Sequence, residues 1–285
     1  MGIINQRRDK FVITTSELHS KAAAEGIRFD QVEKDYVILW ILNGLSNQEF
    51  GPMGWVFKGG TCLRHCYYAG YRFSEDLDFS CHPMGKDLEK AQDLLMKVAS
   101  WIQKKSGIVM TLKTALSIPG ELQAEIPIQY SRGGLRRTGL PLVKIHLTFD
   151  EPIVTQTVIR QVMPAYSDMS VFEVIAYSKE EIIGEKMRAL LQQQKKWPRP
   201  RDLYDLWFIL CQSGERFQGP NLKEVFIQKC QTRNINPDMA SLVSENLREW
   251  NKDAWRTMLG SLLRDVPEFD KVWQEWVVAF QEIFG

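Results

Sequence analysis

The chain has 285 residues, 44% hydrophobic and 25% charged, and its 36 Lys and Arg almost balance its 35 Asp and Glu, leaving a formal net charge of +1. This composition excludes an intrinsically disordered chain, and the small net charge excludes a protein that binds polyanions with a uniformly basic surface. Five scattered cysteines and no recognisable secretory leader favour reduced thiols in a cytoplasmic protein, and no apolar run reaches the about 18 residues of a membrane span.

Two packed domains are expected at this length, and we place them at residues 1–168 and 169–285. Hydrophobic periodicity predicts a helical lead that includes residues 31–45, a short buried strand at 54–57 and a helix at 88–104. Further strands are predicted at 109–116, 124–130, 142–149 and 155–162. After about residue 170 the pattern becomes helical, so the sequence predicts a mixed helix and strand region followed by a helical one.

A glycine turn directly follows the first predicted strand, in the run Lys58-Gly59-Gly60-Thr61. Glycines let the backbone approach an anion closely, and the unpaired N–H groups of a following helical turn point at it. We predict that Thr61 is the N-cap of that helix and that its hydroxyl adds a donor. The turn therefore predicts a phosphate site, although a glycine turn without a ligand has the same local pattern.

A predicted strand at 71–80 has four polar side chains on one face, Arg72, Ser74, Asp76 and Asp78. The two aspartates, at i and i+2, project in parallel about 7 Å apart and can converge on a pair of divalent cations. By itself such a pair also fits a solvated edge strand with ordinary surface carboxylates. Beside a phosphate turn it favours metal-dependent nucleotidyl transfer, with Arg72 and Ser74 close enough to contact the nucleotide.

A lysine interrupts the apolar stripe of the next informative helix. Ser178 and Glu181 form a capping box, which predicts that this helix begins there and runs to about residue 194. At about 100° per residue, Lys186 falls inside the apolar stripe. A lysine on a buried face must reach solvent, pair with a carboxylate or face a wet pocket.

A second helix is predicted at 201–210, after the break made by Pro198 and Pro200. Asp202 and Asp205 are three residues apart and are therefore neighbours on its surface. An acid in the first turn, such as Asp202, complements the helix dipole without any functional role, whereas Asp205 lies beyond that position.

Taken together in this order, these motifs resemble the AbiEii family of nucleotidyltransferase toxins, which includes the MenT toxins, within the polymerase-β-like superfamily. The segments that carry the resemblance are residues 32–36, 57–63, 72–79, 180–186 and 200–205. The resemblance implies an α/β (α+β) fold, with a polymerase-β-like nucleotidyltransferase core built on a mixed sheet and a helical C-terminal domain that contributes Lys186 and Asp205 to the active site.

The resemblance also implies the roles of the site residues, with an NTP as substrate and Mg²⁺ or Mn²⁺ as cofactor. Asp76 and Asp78 would hold the metal ions, Lys186 would counter the phosphate charge, and Asp205 would position or deprotonate the acceptor hydroxyl. The implied nucleotide-binding residues are Lys58, Gly59, Gly60, Thr61, Arg72, Ser74 and Asp202. Of the two helix acids, Asp205 is expected to act directly and Asp202 to orient its neighbours.

Polymerase-β-like enzymes usually carry a third metal-binding carboxylate on a neighbouring strand, and the strand at 142–149 offers Lys144 and His146 instead. Three possibilities remain: His146 is the third ligand, Asp150 or Glu151 reaches in, or two aspartates suffice. A histidine on a strand is more often a hydrogen-bonded structural residue than a metal ligand.

We therefore expect the toxin of a bacterial toxin–antitoxin system of the abortive-infection type, which transfers NMP from NTP to an RNA 3′ end, with tRNA as the expected acceptor and an antitoxin protein as partner. Nucleotidyl transfer to a protein or small-molecule hydroxyl is one alternative. A catalytically silent nucleotide-binding regulatory module is another. An RNA path would use local basic residues, namely Arg132, Arg136, Arg137, Lys195, Lys196, Arg199 and Arg201.

Overall fold

The computed structural model describes residues 13–50, 54–81, 87–117, 123–133, 139–193 and 196–285. Arg136, Arg137 and Lys195 of the expected RNA path lie outside this part of the chain. The described strands form one mixed sheet in the order β3-β5-β6-β2-β1-β8-β7, with β4 paired to β5. They are β1 (Trp55–Lys58), β2 (Asp76–Cys81), β3 (Val109–Leu112), β4 (Leu116–Ser117), β5 (Gln123–Ser131), β6 (Leu142–Thr148), β7 (Val158–Val162) and β8 (Phe172–Ala176).

Two parallel pairings at the centre of the sheet make it mixed. Strand β2 runs parallel to β6, and β1 runs parallel to β8, whereas β1 and β2 are antiparallel to each other. In this register Asp78 lies opposite Lys58 on one side and His146 on the other. Residues far apart in the chain therefore meet around the two predicted metal ligands, and the predicted mixed fold is confirmed.

Helices cover the sheet and make up most of the chain after it. Their bounds are α1 (Thr15–Glu25), α2 (Phe29–Leu45), α3 (Gly59–Cys62), α4 (Leu88–Ser106), α5 (Lys179–Leu191), α6 (Pro200–Trp207), α7 (Gly219–Gln231), α8 (Glu245–Leu259) and α9 (Phe269–Phe284). Helix α2 is buried on nearly every side, and its second half, residues 36–45, is apolar apart from Asn43 and Gly44. Helix α5 packs against α6 and α7, and α6 packs against α8. None of the described helices is both long and apolar enough to cross a membrane.

The caps of the helices near the site follow from their sequences. The Ser178 hydroxyl accepts a hydrogen bond from the Glu181 backbone N–H at 3.0 Å, which confirms that α5 begins where the capping box predicts. Pro200 occupies the first turn of α6, where its missing N–H costs no hydrogen bond. These two helix starts bring Lys186 and Asp202 to the same side of the sheet.

Three local expectations are corrected. Strand β2 begins only at Asp76, so Arg72 and Ser74 lie in an irregular segment before it, where the Phe73 N–H donates to the Leu262 carbonyl at 2.9 Å instead of to a strand neighbour. The predicted strand at 109–116 is divided into β3 and β4.

The third correction concerns the end of the sheet, which lies beyond residue 168. Strand β8 pairs with both β1 and β7, so the chain becomes helical only after Ala176. The signal was present as alternating exposed and buried residues, but five residues are too few to distinguish a strand by periodicity alone. The division into domains at 1–168 and 169–285 stays a prediction.

Candidate active site

A cleft of about 1020 Å³ lies between the central strands of the sheet and helices α5 and α6. It brings together most of the residues that the sequence singled out. The predicted site residues that line it are Lys58, Gly59, Gly60, Arg72, Ser74, Asp76, Asp78, Lys186 and Asp202. Two predicted site residues, Thr61 and Asp205, do not line it and lie buried behind its wall.

Asp76 and Asp78 are near enough to affect each other's protonation. Burial, followed by the charge of Asp78, raises the pKa of the Asp76 carboxyl above its ordinary value. Burial acts the same way on Asp78, but a hydrogen bond from His146 and the charges of His146 and Lys58 outweigh it and lower its pKa. The pair is therefore a concentration of negative charge in a partly enclosed cleft, which a bound cation would relieve.

His146 lies between two carboxylates. Its Nδ1 is 2.9 Å from Asp78 Oδ1 and its Nε2 is 3.2 Å from Glu125 Oε2. Burial alone would lower the pKa of the imidazole, but Asp78, Asp76 and Glu125 raise it to about 9. Both ring nitrogens of His146 therefore face carboxylates, and the contact with Asp78 orients one of the two predicted metal ligands.

The other two candidates for a third ligand also have partners. Asp150 pairs with Arg233 at 3.4 Å, and Glu151 is buried against Lys58 at 2.8 Å. Sequence reasoning missed Glu125, which approaches this region from β5. Glu125 faces His146 across the β5–β6 ladder. This pairing cannot be known before the order of the strands is known, so no local sequence pattern indicates Glu125.

The glycine turn approaches the metal-ligand strand closely. Gly59 has a left-handed φ of 78°, and a Cβ at this position would collide with the Asp78 carboxylate. A Cβ on Gly60 would be 2.7 Å from Arg72 Nη2 and 3.2 Å from Ser74 Oγ. Only glycine therefore fits at both positions, and the first turn of α3 opens directly beside the aspartates.

Thr61 has a different local role from the one expected. Lys58, not Thr61, precedes the first residue of α3, and the Thr61 hydroxyl donates to the backbone carbonyl of Asp76. Because that hydroxyl is buried and already bonded, it ties the turn to strand β2 and is not directed into the cleft. The N-cap expectation for Thr61 is wrong because Gly59 can itself adopt the conformation that begins the helix.

Lys186 connects the cleft to a buried charge network. Its Nζ is 2.8 Å from Asp202 Oδ1 and 2.6 Å from Asp205 Oδ2. Asp205 is fully buried, and its two oxygens also accept hydrogen bonds from Arg72 Nε and Nη2 at 2.6 Å each and from the Tyr71 hydroxyl at 2.5 Å. The charges of Arg72 and Lys186 outweigh the effect of burial and lower the pKa of Asp205 to about 2.

The two acids on α6 differ in their access to the cleft. Asp205 has 0% exposure and four donors around it, so it cannot reach an acceptor hydroxyl and instead fixes Arg72 and Lys186 in place. Asp202 has a 17% exposed side chain and lines the cleft. Of the two, Asp202 is the carboxylate that a substrate can meet.

Lys58 is buried between Glu151, one of the candidates for a third metal ligand, and Glu185, which the sequence analysis did not assign. Its Nζ bonds to Glu151 at 2.8 Å and to Glu185 at 2.7 Å. Burial would lower the pKa of the Lys58 ammonium, but Glu185 and Glu151 raise it, so the lysine stays charged. Glu151 also pairs with Arg188 of α5 at 3.3 Å, which joins the sheet to the helix that carries Lys186.

The donor set fits a divalent cation. Two carboxylates at i and i+2 face one cleft, and hard cations such as Mg²⁺ take carboxylate oxygens and keep several waters or substrate phosphates as further ligands. Across the described residues, no cluster of three or more His, Cys, Asp or Glu side chains is arranged to hold a metal by itself. The site therefore matches a metal shared with a phosphate substrate better than a closed all-protein metal site.

A mixed sheet with a helical C-terminal region, a glycine turn and an aspartate pair in one cleft define a nucleotidyltransferase. The model of the AbiEii nucleotidyl transferase toxin family, of the type IV toxin–antitoxin systems, matches residues 40–275. This chain belongs to the AbiEii family. A search of curated protein sequences finds no match.

Two solved structures share the fold. MenT4, a nucleotidyltransferase toxin from Mycobacterium tuberculosis, is 18% identical with a TM-score of 0.64, over 95% of this chain and 90% of MenT4. JHP933 from Helicobacter pylori is 19% identical with a TM-score of 0.56, over 90% of this chain and 93% of JHP933. The arrangement of sheet and helices described above is therefore the fold of the MenT-type toxins.

Proposed function

We propose that this nucleotidyltransferase uses a divalent metal to transfer NMP from an NTP to the 3′ hydroxyl of an RNA, with tRNA as the acceptor class. The observation that carries the proposal is the cleft that unites the Asp76 and Asp78 pair with the Gly59-Gly60 turn and Lys186. Membership of the AbiEii family makes this protein one half of a toxin–antitoxin pair. We infer an antitoxin protein as its partner and the bacterial cytoplasm, where NTP and RNA are found, as its location.

In this reaction the acceptor oxygen attacks the α-phosphorus and forms a new P–O bond. The bond from that phosphorus to the bridging oxygen breaks, pyrophosphate leaves, and the hydroxyl proton is released. Asp76 and Asp78 would hold the metal, which supplies charge neutralisation at the phosphates and activation of the attacking hydroxyl.

The groups around the metal ligands bind the phosphates or hold other side chains in place. Backbone N–H groups at Gly59 and Gly60 face the phosphates, and a compact ammonium at Lys186 balances charge that develops on them. Asp205 acts as a positioning residue, because it holds Lys186 and Arg72 at fixed distances and contacts no substrate itself. Lys186 would contact both the bound nucleotide and Asp202, which lies at the cleft surface.

The test is to incubate the purified protein with Mg²⁺, each α-phosphate-labelled NTP in turn and three acceptors: tRNA, total RNA depleted of tRNA, and total protein. We expect label on tRNA with wild type. Asp76→Asn keeps the size of the side chain but removes its charge, so we expect transfer to fall by more than about 100-fold.

The three acceptors separate the candidate functions. Label on protein alone would replace the RNA hypothesis with transfer to a side-chain hydroxyl. Absence of both hydrolysis and transfer with every NTP would leave a silent nucleotide-binding module. Equal labelling by wild type and Asp76→Asn would show that the aspartate pair does not hold the metal, and a thermal melt of the variant shows whether it is folded.

A further inference from the structure

Trp197 lies on the rim of the cleft with its ring open to solvent. All nine tryptophans of the chain lie in its described part, and Trp197, at 66% exposure, is the exposed one, while the others are buried or half-buried. Tryptophan combines a large apolar ring with a polar N–H and is enriched at binding interfaces, and here the ring lies beside a cleft. Trp197 lies in the connection between α5, which carries Lys186, and α6, which carries Asp202.

The backbone that follows Trp197 is anchored. Pro198 and Pro200 fix two of the backbone φ angles that follow it. The Arg199 N–H donates to Gln193 Oε1 at 3.2 Å, and the same oxygen accepts from Asn251 of α8 at 3.0 Å. The backbone next to the ring is therefore fixed before binding, which lowers the entropy cost of binding there.

The charges next to Trp197 are available to a ligand. Among the described residues Lys196 has no ion-pair partner, and Arg199 is 48% exposed with only a 3.7 Å contact to Asp202. Deeper in the cleft, by contrast, Lys58 and Lys186 each contact two carboxylates at 2.8 Å or less. Free cations are therefore concentrated where the aromatic ring is, at the rim.

We propose that Trp197 stacks on a nucleobase at the single-stranded 3′ end of the acceptor RNA while Lys196 and Arg199 contact its phosphodiester backbone. This inference rests on the proposed function. Aromatic rings that stack on bases, with cations that follow the backbone, are the usual means of binding single strands. The donor NTP carries all its phosphates at the glycine turn, whereas a polynucleotide continues out of the cleft and needs cations at the rim.

The experiment uses the full chain and a 5′-fluorescein RNA hairpin with a short single-stranded 3′ overhang, beside a blunt hairpin with the same stem. Trp197→Ala is expected to weaken binding of the overhang hairpin by about fivefold or more, because stacking on one base contributes about 1–3 kcal/mol. Trp197→Phe, which keeps a ring, is expected to restore most of the affinity. Met163→Ala, which removes another exposed apolar side chain away from this cleft, is the matched control and is expected to bind like wild type.

Steady-state kinetics separate the acceptor from the donor. With Trp197→Ala we expect the KM for RNA to rise and the KM for NTP to stay unchanged. A raised KM for NTP with unchanged RNA binding would overturn the proposal and assign the ring to the donor base, and so would equal binding of the overhang hairpin by all variants. Should wild type transfer nucleotide to RNA and Trp197→Ala bind it equally well, this inference fails while the proposed function stands. Failure of wild type to bind or label any RNA removes both.

Discussion

At the scale of single residues, the side chains that line the cleft differ from the buried side chains that hold them in place. Asp76, Asp78 and Lys186 face the cleft, and Asp78 and Lys186 each have a buried or partly buried neighbour that sets their position. His146 orients the Asp78 carboxylate, and Asp205 holds the Lys186 ammonium in position. Positioning residues of this kind are expected to affect activity as strongly as direct ones, but they differ in how much they contribute to stability.

The pair Asp202 and Asp205 tests this difference directly. Asp205→Asn leaves the buried charges of Arg72 and Lys186 with one anion fewer, so we expect the free energy of unfolding to fall by about 3–5 kcal/mol. Asp202→Asn alters a partly exposed partner of the same lysine and is expected to cost less than about 1 kcal/mol. Urea unfolding followed by circular dichroism measures both.

Activity should fall in both variants, because each perturbs Lys186. If Asp205→Asn were as stable as wild type, the assignment of Asp205 as a buried positioning carboxylate would be wrong. A fully active Asp202→Asn protein would remove Asp202 from the substrate-binding surface.

At the scale of elements, the glycine turn between β1 and α3 is the most constrained part of the site. Gly59 combines a left-handed φ with a close approach to Asp78. The requirement is therefore both conformational and steric. Gly107, which ends α4, also has a left-handed φ, of 76°, but a Cβ there would meet nothing within 4 Å.

This contrast gives a matched pair of alanine variants. Gly107→Ala adds only backbone strain, so we expect a stability loss of about 1–2 kcal/mol and normal activity. Gly59→Ala adds similar strain but also displaces Asp78, and an error of about 1 Å in a catalytic group can cost about 100-fold in rate. We therefore expect Gly59→Ala to lose at least that much activity in the labelling assay. Equal activity in the two variants would contradict the close approach between Gly59 and Asp78.

Elements with strong local signals could be predicted from the sequence. The capping box of α5, the helical lead that includes residues 31–45 and the helix at 88–104 each depend on neighbouring residues alone, and each is present. The segment before β2 and the hydroxyl of Thr61 could not be predicted. Arg72 is held out of the strand by Asp205, which lies 133 positions later, and no local pattern records such a contact.

The same limit applies to the site. Asp76, Asp78 and Lys186 could be identified because each breaks or completes a local pattern. Glu125 could not be identified, because only the order of the strands places it opposite His146. Trp197 could not be identified either, because its exposure at the rim of the cleft is known only from the structure. The different exposure of Asp202 and Asp205 could not be predicted for a similar reason, since burial on α6 depends on what packs against it.

At the scale of the whole molecule, the cations deepest in the cleft are already paired with acids before any ligand binds. The cations Lys58, Lys186 and Arg72 are paired with acids, and Asp76 and Asp78 add negative charge beside them. With a net charge of only +1, the protein supplies no long-range attraction for a triphosphate. A divalent cation is therefore expected to be necessary for NTP binding as well as for catalysis.

Thermal stability in the presence of ligand tests this dependence without any turnover. At about 100 times its Kd, an NTP with Mg²⁺ should add about 2.7 kcal/mol and raise Tm by about 5–10 °C. The NTP with a chelator, or Asp76→Asn with NTP and Mg²⁺, should give a much smaller rise. An equal rise with and without the metal would mean that the protein's own cations suffice to bind the triphosphate.

The most direct test of nucleotidyl transfer to an RNA 3′ end compares α- and γ-labelled NTP on tRNA whose 3′ terminus is either intact or oxidised with periodate. We predict that the α label enters intact tRNA, that the γ label leaves as pyrophosphate, and that oxidation of the 3′ diol abolishes labelling. Transfer of the γ label, or undiminished α labelling of oxidised tRNA, would be incompatible with nucleotidyl transfer to the 3′ hydroxyl.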